Sequence, residues 1–422
     1  MTGARIVLSE NTMSLVGLRG MTPLTDEVAL RAHLATLLRL ENVGLFLGAG
    51  ASCPAGGKTI KQLWQNFVAK SEREAKWLVE QKMVAETALL ESDRQVIPNI
   101  EDVIDTLEIA LTEWRRVGDS KTGVGTKVRA ELFRAAVRAA LLEESWWTSP
   151  EGADADVEKL TSHRAILQKV VAARQPGQAS PWVFTTNYDL GLEWAAESIN
   201  LQVVNGFVGV HSRHFSPQCF DLGFRNTQAR GEARFGVYNI YLAKLHGSLT
   251  WKEHNKQLFE VPAPLAWGGL KSFLDGGTDE ILFLVLPRAA KYIQTVGFTV
   301  GELLRRFSEF LARPQTSLIT CGYAFEDEHI NRLLQSAILN PTLQLVIYLP
   351  EFKGDSEDIA LPVAIRRLLA LKNPRVTIIG GGDQAWLDKL AAHLPDPILY
   401  DEDTRQLEKA MREQSGVDGS KQ

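Results

Sequence analysis

Apolar positions along this chain fall into two spacings. Val28, Leu30, Leu34, Leu37 and Leu38 recur at helical steps, as do Ile60, Leu63, Trp64, Phe67 and Val68, and again Ile100, Val103, Ile104, Leu107 and Leu111. Steps of three and four residues put each set on one face of a helix. Short continuous apolar runs read as buried strands at 43–47, 182–186, 201–204, 241–245, 281–286, 317–320, 343–348 and 376–379, with helices predicted at 190–199, 301–312 and 329–338. Strands that alternate with helices predict an α/β fold with a doubly wound parallel sheet. The pattern divides the chain into an N-terminal arm (1–25), a core (26–69 and 176–400), a helical insertion (70–175) and a polar C-terminal tail (401–422). Within the insertion, 118–126 reads as a loop and 127–144 as a helix. The arm shows no periodicity and suits packing on a neighbouring subunit, which together with the insertion predicts a homo-oligomer.

The first predicted strand breaks into Gly48-Ala-Gly-Ala-Ser52. Glycine and alanine let a backbone turn sharply and approach a ligand with no side chain in the way. Strand, glycine turn and helix make the Rossmann-like cradle in which backbone N–H groups face a nucleotide's phosphates. Ser52 adds a hydroxyl. Plain tight-turn chemistry gives the same short pattern, so the remaining strand ends matter. Two carry polar groups: Thr186-Asn187-Tyr-Asp189 after the 182–186 run, and His246-Gly247 after the 241–245 run.

Composition narrows the field modestly. With 422 residues, 45% of them apolar and 23% charged, the chain has the make-up of a globular protein with a large core. The formal net charge of −5 repels phosphate polyanions, so any nucleic-acid contact is expected through a partner. The three cysteines, Cys53, Cys219 and Cys321, are scattered and form neither a disulfide framework nor a four-cysteine metal site. No leader-like segment or apolar run of bilayer length occurs, and a cytoplasmic location away from any membrane is expected.

The order of glycine loop, Thr-x-Asn-x-Asp and His-Gly resembles the sirtuin superfamily of NAD-dependent enzymes, and Gly322-Tyr-Ala-Phe-Glu-Asp327 resembles the continuation in its bacterial sirtuin-like branch. Longer stretches are similar to the sirtuin-like subunit of the Nezha, or sirtuin–HerA, anti-phage system. They are 42–64, Arg174-Gln-Pro-Gly-Gln178, 184–190, 192–197, Gly231-Glu-Ala-Arg-Phe-Gly236, Lys244-Leu-His-Gly-Ser-Leu-Thr-Trp251 and Gly380-Gly-Gly382. The resemblance implies cleavage of NAD⁺, no metal in this chain, and assembly with a hexameric HerA-type ATPase. Two cysteine pairs and a Phe-Arg step typical of deacylating sirtuins are absent, which argues against an acyl-lysine channel. The rival readings are ADP-ribosyl transfer or deacylation, and a non-catalytic NAD⁺ or ADP-ribose sensor that gates the ATPase.

Under this resemblance Asn187, His246 and Asp189 form the expected catalytic set. The Asn187 amide would hold ribose hydroxyls or a water. His246, with an ordinary pKa of about 6.5, would accept a proton. Asp189 would orient the loop or the ribose, with Thr186 in support. Gly48, Ala49, Gly50 and Ser52 would take the pyrophosphate, Gly322, Gly380 and Gly381 are the expected adenosine-side contacts, and Asp327 is a further expected cofactor contact. Each has an ordinary alternative: Asn187 and Asp189 as turn and capping residues, His246 as a core histidine, Asp327 as the start of a helix, and Arg288 and Lys291 as solvated surface. His211 and His214 lack a nearby carboxylate pair and make a poor metal site. Trp146, Trp147, Trp194 and Trp251 read as core or subunit contacts.

Overall fold

A computed structural model of the chain describes residues 15–90, 97–149, 158–228, 230–231, 239–255, 257–279, 296–356 and 358–396. In chain order, β1 (Val16–Arg19) and β2 (Thr22–Pro23) precede α1 (Glu27–Leu38) and β3 (Asn42–Leu47). A run of helices follows: α2 (Ile60–Lys70), α3 (Glu72–Glu80), α4 (Ile100–Val117), α5 (Lys121–Ala140) and α6 (Thr161–Ala172). Then come β4 (Trp182–Thr185), α7 (Gly191–Ser198), β5 (Gln202–Val204), β6 (Phe207–Val208), β7 (Arg213–Phe215), β8 (Asn239–Lys244), β9 (Trp251–His254), β10 (Gln257–Glu260) and α8 (Ala263–Leu274). The chain continues through α9 (Val296–Ala312), β11 (Thr316–Cys321), α10 (Glu328–Ala337), β12 (Gln344–Tyr348), α11 (Val363–Ala370), β13 (Val376–Gly380) and α12 (Leu387–His393).

Among the described residues the main sheet has nine strands in the order β2-β1-β13-β12-β11-β3-β4-β8-β5. The seven from β13 to β5 run parallel, and β1 and β2 add an antiparallel edge. The α/β doubly wound fold expected from the pattern is the one observed. Every residue of β3, β4, β11 and β13 is buried, because helices cover both faces of a parallel sheet. Successive side chains of β3 therefore serve two cores: Val43, Leu45 and Leu47 join one apolar cluster, Phe46 the other. Gly44 is small for a reason, since a Cβ there would lie 2.6 Å from the Phe310 ring. Truncating Phe310 itself would cost about 3–5 kcal/mol.

Helix boundaries follow local chemistry. Asp26 caps α1 by accepting the N–H groups of Val28 and Ala29, and Thr59 with Gln62 closes a capping box on α2. Between β3 and β4 the described residues contain helices and turns only. They share one cluster with β3 and β4: Trp64, Leu107, Phe133 and Leu167 are buried with Val43 and Val183.

Several predicted features differ. Residues 118–126, expected as a loop, are loop only as far as Ser120. Gly118, at φ 72°, ends α4, and α5 starts at Lys121 and runs through Gly123 and Gly125. Gly125 lets the two helices cross closely, with the Leu111 and Trp114 side chains 3.0 Å from where a Cβ would sit. The pattern predicted no strand before residue 26, yet β1 pairs with β13 along four residues. It also missed the small antiparallel sheet β6-β7-β10-β9. The predicted 281–286 strand, Arg288, Lys291 and the tail lie outside the described residues, as does most of Gly231–Gly236. No helix among the described residues is long and apolar enough to cross a membrane.

Candidate functional site

The strand order reverses between β3 and β11. From β3 the chain winds out through β4 to β8 and β5; from β11 it winds the other way through β12 and β13. Such a reversal opens a crevice beyond the carboxyl ends of the strands, where doubly wound folds bind ligands. A cavity of about 450 Å³ lies there, with Ala49, Gly50, Ser52, Thr186, Asn187, Asp189, His246, Gly322 and Asp327 in its wall.

The glycine loop is packed against the end of β11. Gly48 and Gly50 donate their N–H groups to the carbonyls of Cys321 (3.0 Å) and Gly322 (2.9 Å). Gly322 is held at φ +70°, and a Cβ there would sit 2.2 Å from the Ala51 nitrogen. Two N–H groups expected to cradle a pyrophosphate are thus already committed within the protein. The cationic part of the wall lies further along, where Lys58, Thr59, Ile60 and Lys61 bring the start of α2 to the cavity. A helix start and two ammonium groups favour an anion.

Asn187 is the centre of a buried polar chain. Its Nδ2 donates to the Gly48 carbonyl (3.0 Å) and to Ser52 Oγ (2.8 Å), and its own N–H goes to Thr185 Oγ1 (3.0 Å). Ser52 Oγ in turn donates to Asp189 Oδ2 at 2.6 Å, and Asp189 Oδ1 accepts the Gly191 N–H at 2.9 Å. Below this, buried Lys244 donates to the Asp189 carbonyl and pairs with Glu193 at 2.8 Å. Ser52 therefore ties Asn187 to Asp189, and Asp189 orients the loop, with its carboxylate engaged by Ser52 and Gly191. Asn187 Oδ1 is different: it is buried and has no hydrogen-bond partner among the described residues. The NH₂ group is committed within the protein, and the acceptor oxygen is the polar atom that Asn187 has left.

His246 follows β8 and stands between two carboxylates. Nε2 meets Asp327 Oδ2 at 2.8 Å, and Nδ1 lies 3.6 Å from Glu101 Oε1. Tyr188 donates its hydroxyl to the same Glu101 oxygen at 2.6 Å. Burial opposes charge on the imidazole, but the hydrogen bonds and negative charge of Asp327 and Glu101 prevail and push its pKa to about 10. Burial likewise works against charge on Glu101 and Asp327, yet the His246 partner leaves both below the ordinary carboxylate range. The sequence suggested a neutral histidine ready to take a proton. Held between two acids, His246 is biased toward the imidazolium form.

Three cofactor-contact expectations also change. Asp327 faces His246 through one oxygen and caps α10 through the other, accepting the N–H groups of His329 (2.8 Å) and Ile330 (3.1 Å). Gly380 and Gly381 are absent from the cavity wall. A Cβ on Gly380 would lie 2.0 Å from the Phe352 carbonyl, which also accepts the Gly381 N–H, so these glycines serve close packing; Ala385 and Trp386 just beyond them line the cavity. Gly322 reaches the wall as the glycine loop's packing partner. Glu101, Tyr188, Lys58 and Lys61 escaped the sequence reading. Asn99-Ile-Glu101-Asp102 looks like any helix start, with Asn99 as cap and acids in the first turn.

Among the described residues no group of three His, Cys, Asp or Glu side chains is arranged to hold a metal ion. No curated protein matches the chain. Residues 181–369 match the family model of a SIR2-like domain, a span that holds Asn187, Asp189, His246, Gly322 and Asp327 and leaves out the glycine loop and Glu101. Over that span the chain is sirtuin-like, similar to domains that are typically NAD-dependent enzymes.

Proposed function

We propose that this protein is an NAD⁺ glycohydrolase, which breaks the bond between nicotinamide and ribose to give nicotinamide and ADP-ribose. The observation that carries the reading is Asn187 Oδ1, a buried acceptor with no partner among the described residues, on a side chain that lines the cavity. Leaving such a group unsatisfied costs about 1–3 kcal/mol, which a ribose hydroxyl or a water would return by donating to it. Lys58, Lys61 and the start of α2 suit a pyrophosphate, and Glu101 and Asp327 in the same cavity suit a pyridinium cation. As the glycosidic bond breaks, positive charge grows on the ribose carbon while nicotinamide leaves neutral. Carboxylates fixed in place beforehand stabilise that charge without reorganising, and Asn187 Oδ1 fixes the position of the hydroxyl or water.

The test is release of nicotinamide and ADP-ribose from NAD⁺ by the purified chain, against Asn187→Ala. Loss of roughly 100-fold or more in turnover is expected from a variant that still unfolds cooperatively, with a melting temperature lowered only by the lost bonds to the Gly48 carbonyl and Ser52. Wild-type turnover in the variant would remove Asn187 from the site, and tight NAD⁺ binding with no product from either protein would favour the sensor reading. The sequence resemblance supports extending the proposal to a homo-oligomer that works in the cytoplasm with a HerA-type hexameric ATPase and depletes NAD⁺ during phage infection. Co-purification of the two proteins, and phage protection that disappears with Asn187→Ala, are the expected outcomes.

A further inference from the structure

Resting on the NAD⁺-cleavage reading, we propose that Glu101, brought in on α4 from outside the SIR2-like span, is the proton acceptor of the site, and that His246 and Tyr188 hold it in place. The first observation is that both nitrogens of His246 face carboxylates: Nε2 hydrogen-bonds Asp327 at 2.8 Å, and Nδ1 lies at ion-pair distance, 3.6 Å, from Glu101. A protonated imidazole can orient an acid but cannot take up a proton, and the carboxylates on either side favour that form.

The second observation is how the cavity carboxylates differ. Asp327 uses Oδ2 on His246 and Oδ1 on two backbone N–H groups. Asp189 is buried and engaged by Ser52 and Gly191. Glu326 and Glu351 are exposed, and no hydrogen bond to a described residue fixes the direction of either carboxylate. Glu101 alone among these is both held and incomplete. Its Oε1 receives the Tyr188 hydroxyl and faces His246 Nδ1, while its Oε2 makes no hydrogen bond to a described residue; its side chain is 35% exposed, and it lines the cavity. Tyr188 stays a donor, because burial and the neighbouring acids push its pKa well up. A proton acceptor has to be aimed and have a free lone pair, and Glu101 Oε2 meets both conditions.

In the step assigned to it, a water held by Asn187 Oδ1 gives a proton to Glu101 Oε2 as its oxygen bonds to the ribose carbon. The carbon–nitrogen bond breaks, its electron pair stays on the nicotinamide ring, and the proton later passes to solvent. One NAD⁺ and one water give nicotinamide, ADP-ribose and one proton.

The test compares wild type, Asn187→Ala, Glu101→Gln, Glu101→Ala and Glu326→Gln for nicotinamide release across pH, with melting temperatures as a check on folding. Glu101→Gln keeps the size of the side chain and its contact with Tyr188. It is expected to lose roughly 100-fold or more in kcat, with KM little changed, and added formate is expected to restore part of the turnover of Glu101→Ala. Wild-type kcat/KM is expected to hold until the pH falls below the ordinary carboxylate range and then to drop, a limb missing from Glu101→Gln. Glu326→Gln is expected to stay near wild type. Release that depends on Asn187 but survives in Glu101→Gln within a few-fold, or an acid limb near pH 6.5 as an unperturbed histidine would give, overturns the role of Glu101 and leaves the function standing. No release from wild type overturns both.

Discussion

Two halves of the cavity are built on different principles. Around Asn187 the polar groups form a short buried chain, Asn187 to Ser52 to Asp189, drawn from the ends of the adjacent strands β3 and β4. Around His246 three charged groups meet from separate parts of the sequence: Glu101 on α4, His246 after β8 and Asp327 before α10. The first half depends on satisfied hydrogen bonds and leaves one acceptor open. The second depends on opposite charges, which hold one another ionised in a place where burial alone would neutralise them. One half fixes where a ligand sits, and the other fixes the charge it meets.

The largest expected effect comes from removing the support under the first half. Lys244 is 3% exposed and pairs with Glu193 while donating to the Asp189 carbonyl. Lys244→Met would leave a buried carboxylate unpaired, at a cost of about 3–5 kcal/mol in denaturant unfolding. Burial already raises the Glu193 pKa against the pull of Lys244, so protonation at acid pH should recover part of the loss. A variant as stable as wild type at neutral pH would show that the Asn187 chain stands without its cation.

Next comes the charged half, where the signature is a slope with pH. The folded pKa of His246, about 10, lies above its ordinary 6.5. Its stabilising contribution is therefore complete below 6.5 and is lost as pH rises toward 10, by up to about 1.4 kcal/mol per pH unit. In His246→Gln that part of the slope should vanish from unfolding curves taken between those values. An unchanged slope would mean that the imidazolium does not hold the two acids.

A smaller effect tests the link inside the first half. Ser52→Ala removes the hydroxyl that bridges Asn187 and Asp189, and should cost about 1–2 kcal/mol in stability. Because Asn187 keeps its bond to the Gly48 carbonyl, turnover should fall by about tenfold, well short of the loss in Asn187→Ala. Equal losses in the two variants would make Ser52 a direct ligand contact.

The same contrast explains what the sequence revealed. β3, β4, β8 and β11 stood out because strands buried on both faces carry short runs rich in apolar residues, and Asn187, Asp189 and His246 stood out because they sit where those runs stop. Glu101 and Lys58 carry no such mark, since an acid in a first helical turn and a lysine before a cap are ordinary in any chain. Their place in the cavity depends on how α2 and α4 pack over the sheet, a long-range property that no local pattern records. Gly380 and Gly381 mislead for the opposite reason: a glycine run beyond a strand looks like a ligand turn, yet the Phe352 carbonyl occupies the space a side chain would need. Asp327 shows both sides, because its capping role was legible and its bond to His246 was not.

The smallest effect separates holding a ligand from acting on it. Lys58 lines the cavity beside the start of α2, and the function proposed here gives it the pyrophosphate. An ammonium that attracts a phosphate equally in the bound complex and in the transition state lowers KM and leaves kcat alone. Lys58→Gln should then raise KM for NAD⁺ by roughly three- to tenfold, in line with a partly screened ion pair of about 1 kcal/mol, and the difference from wild type should shrink in high salt. Lys61→Gln should behave alike, and the two effects should add if each ammonium meets the phosphates separately. A fall in kcat instead of a rise in KM would put Lys58 with the charged groups around His246, and the division between a half that positions and a half that reacts would have to be redrawn.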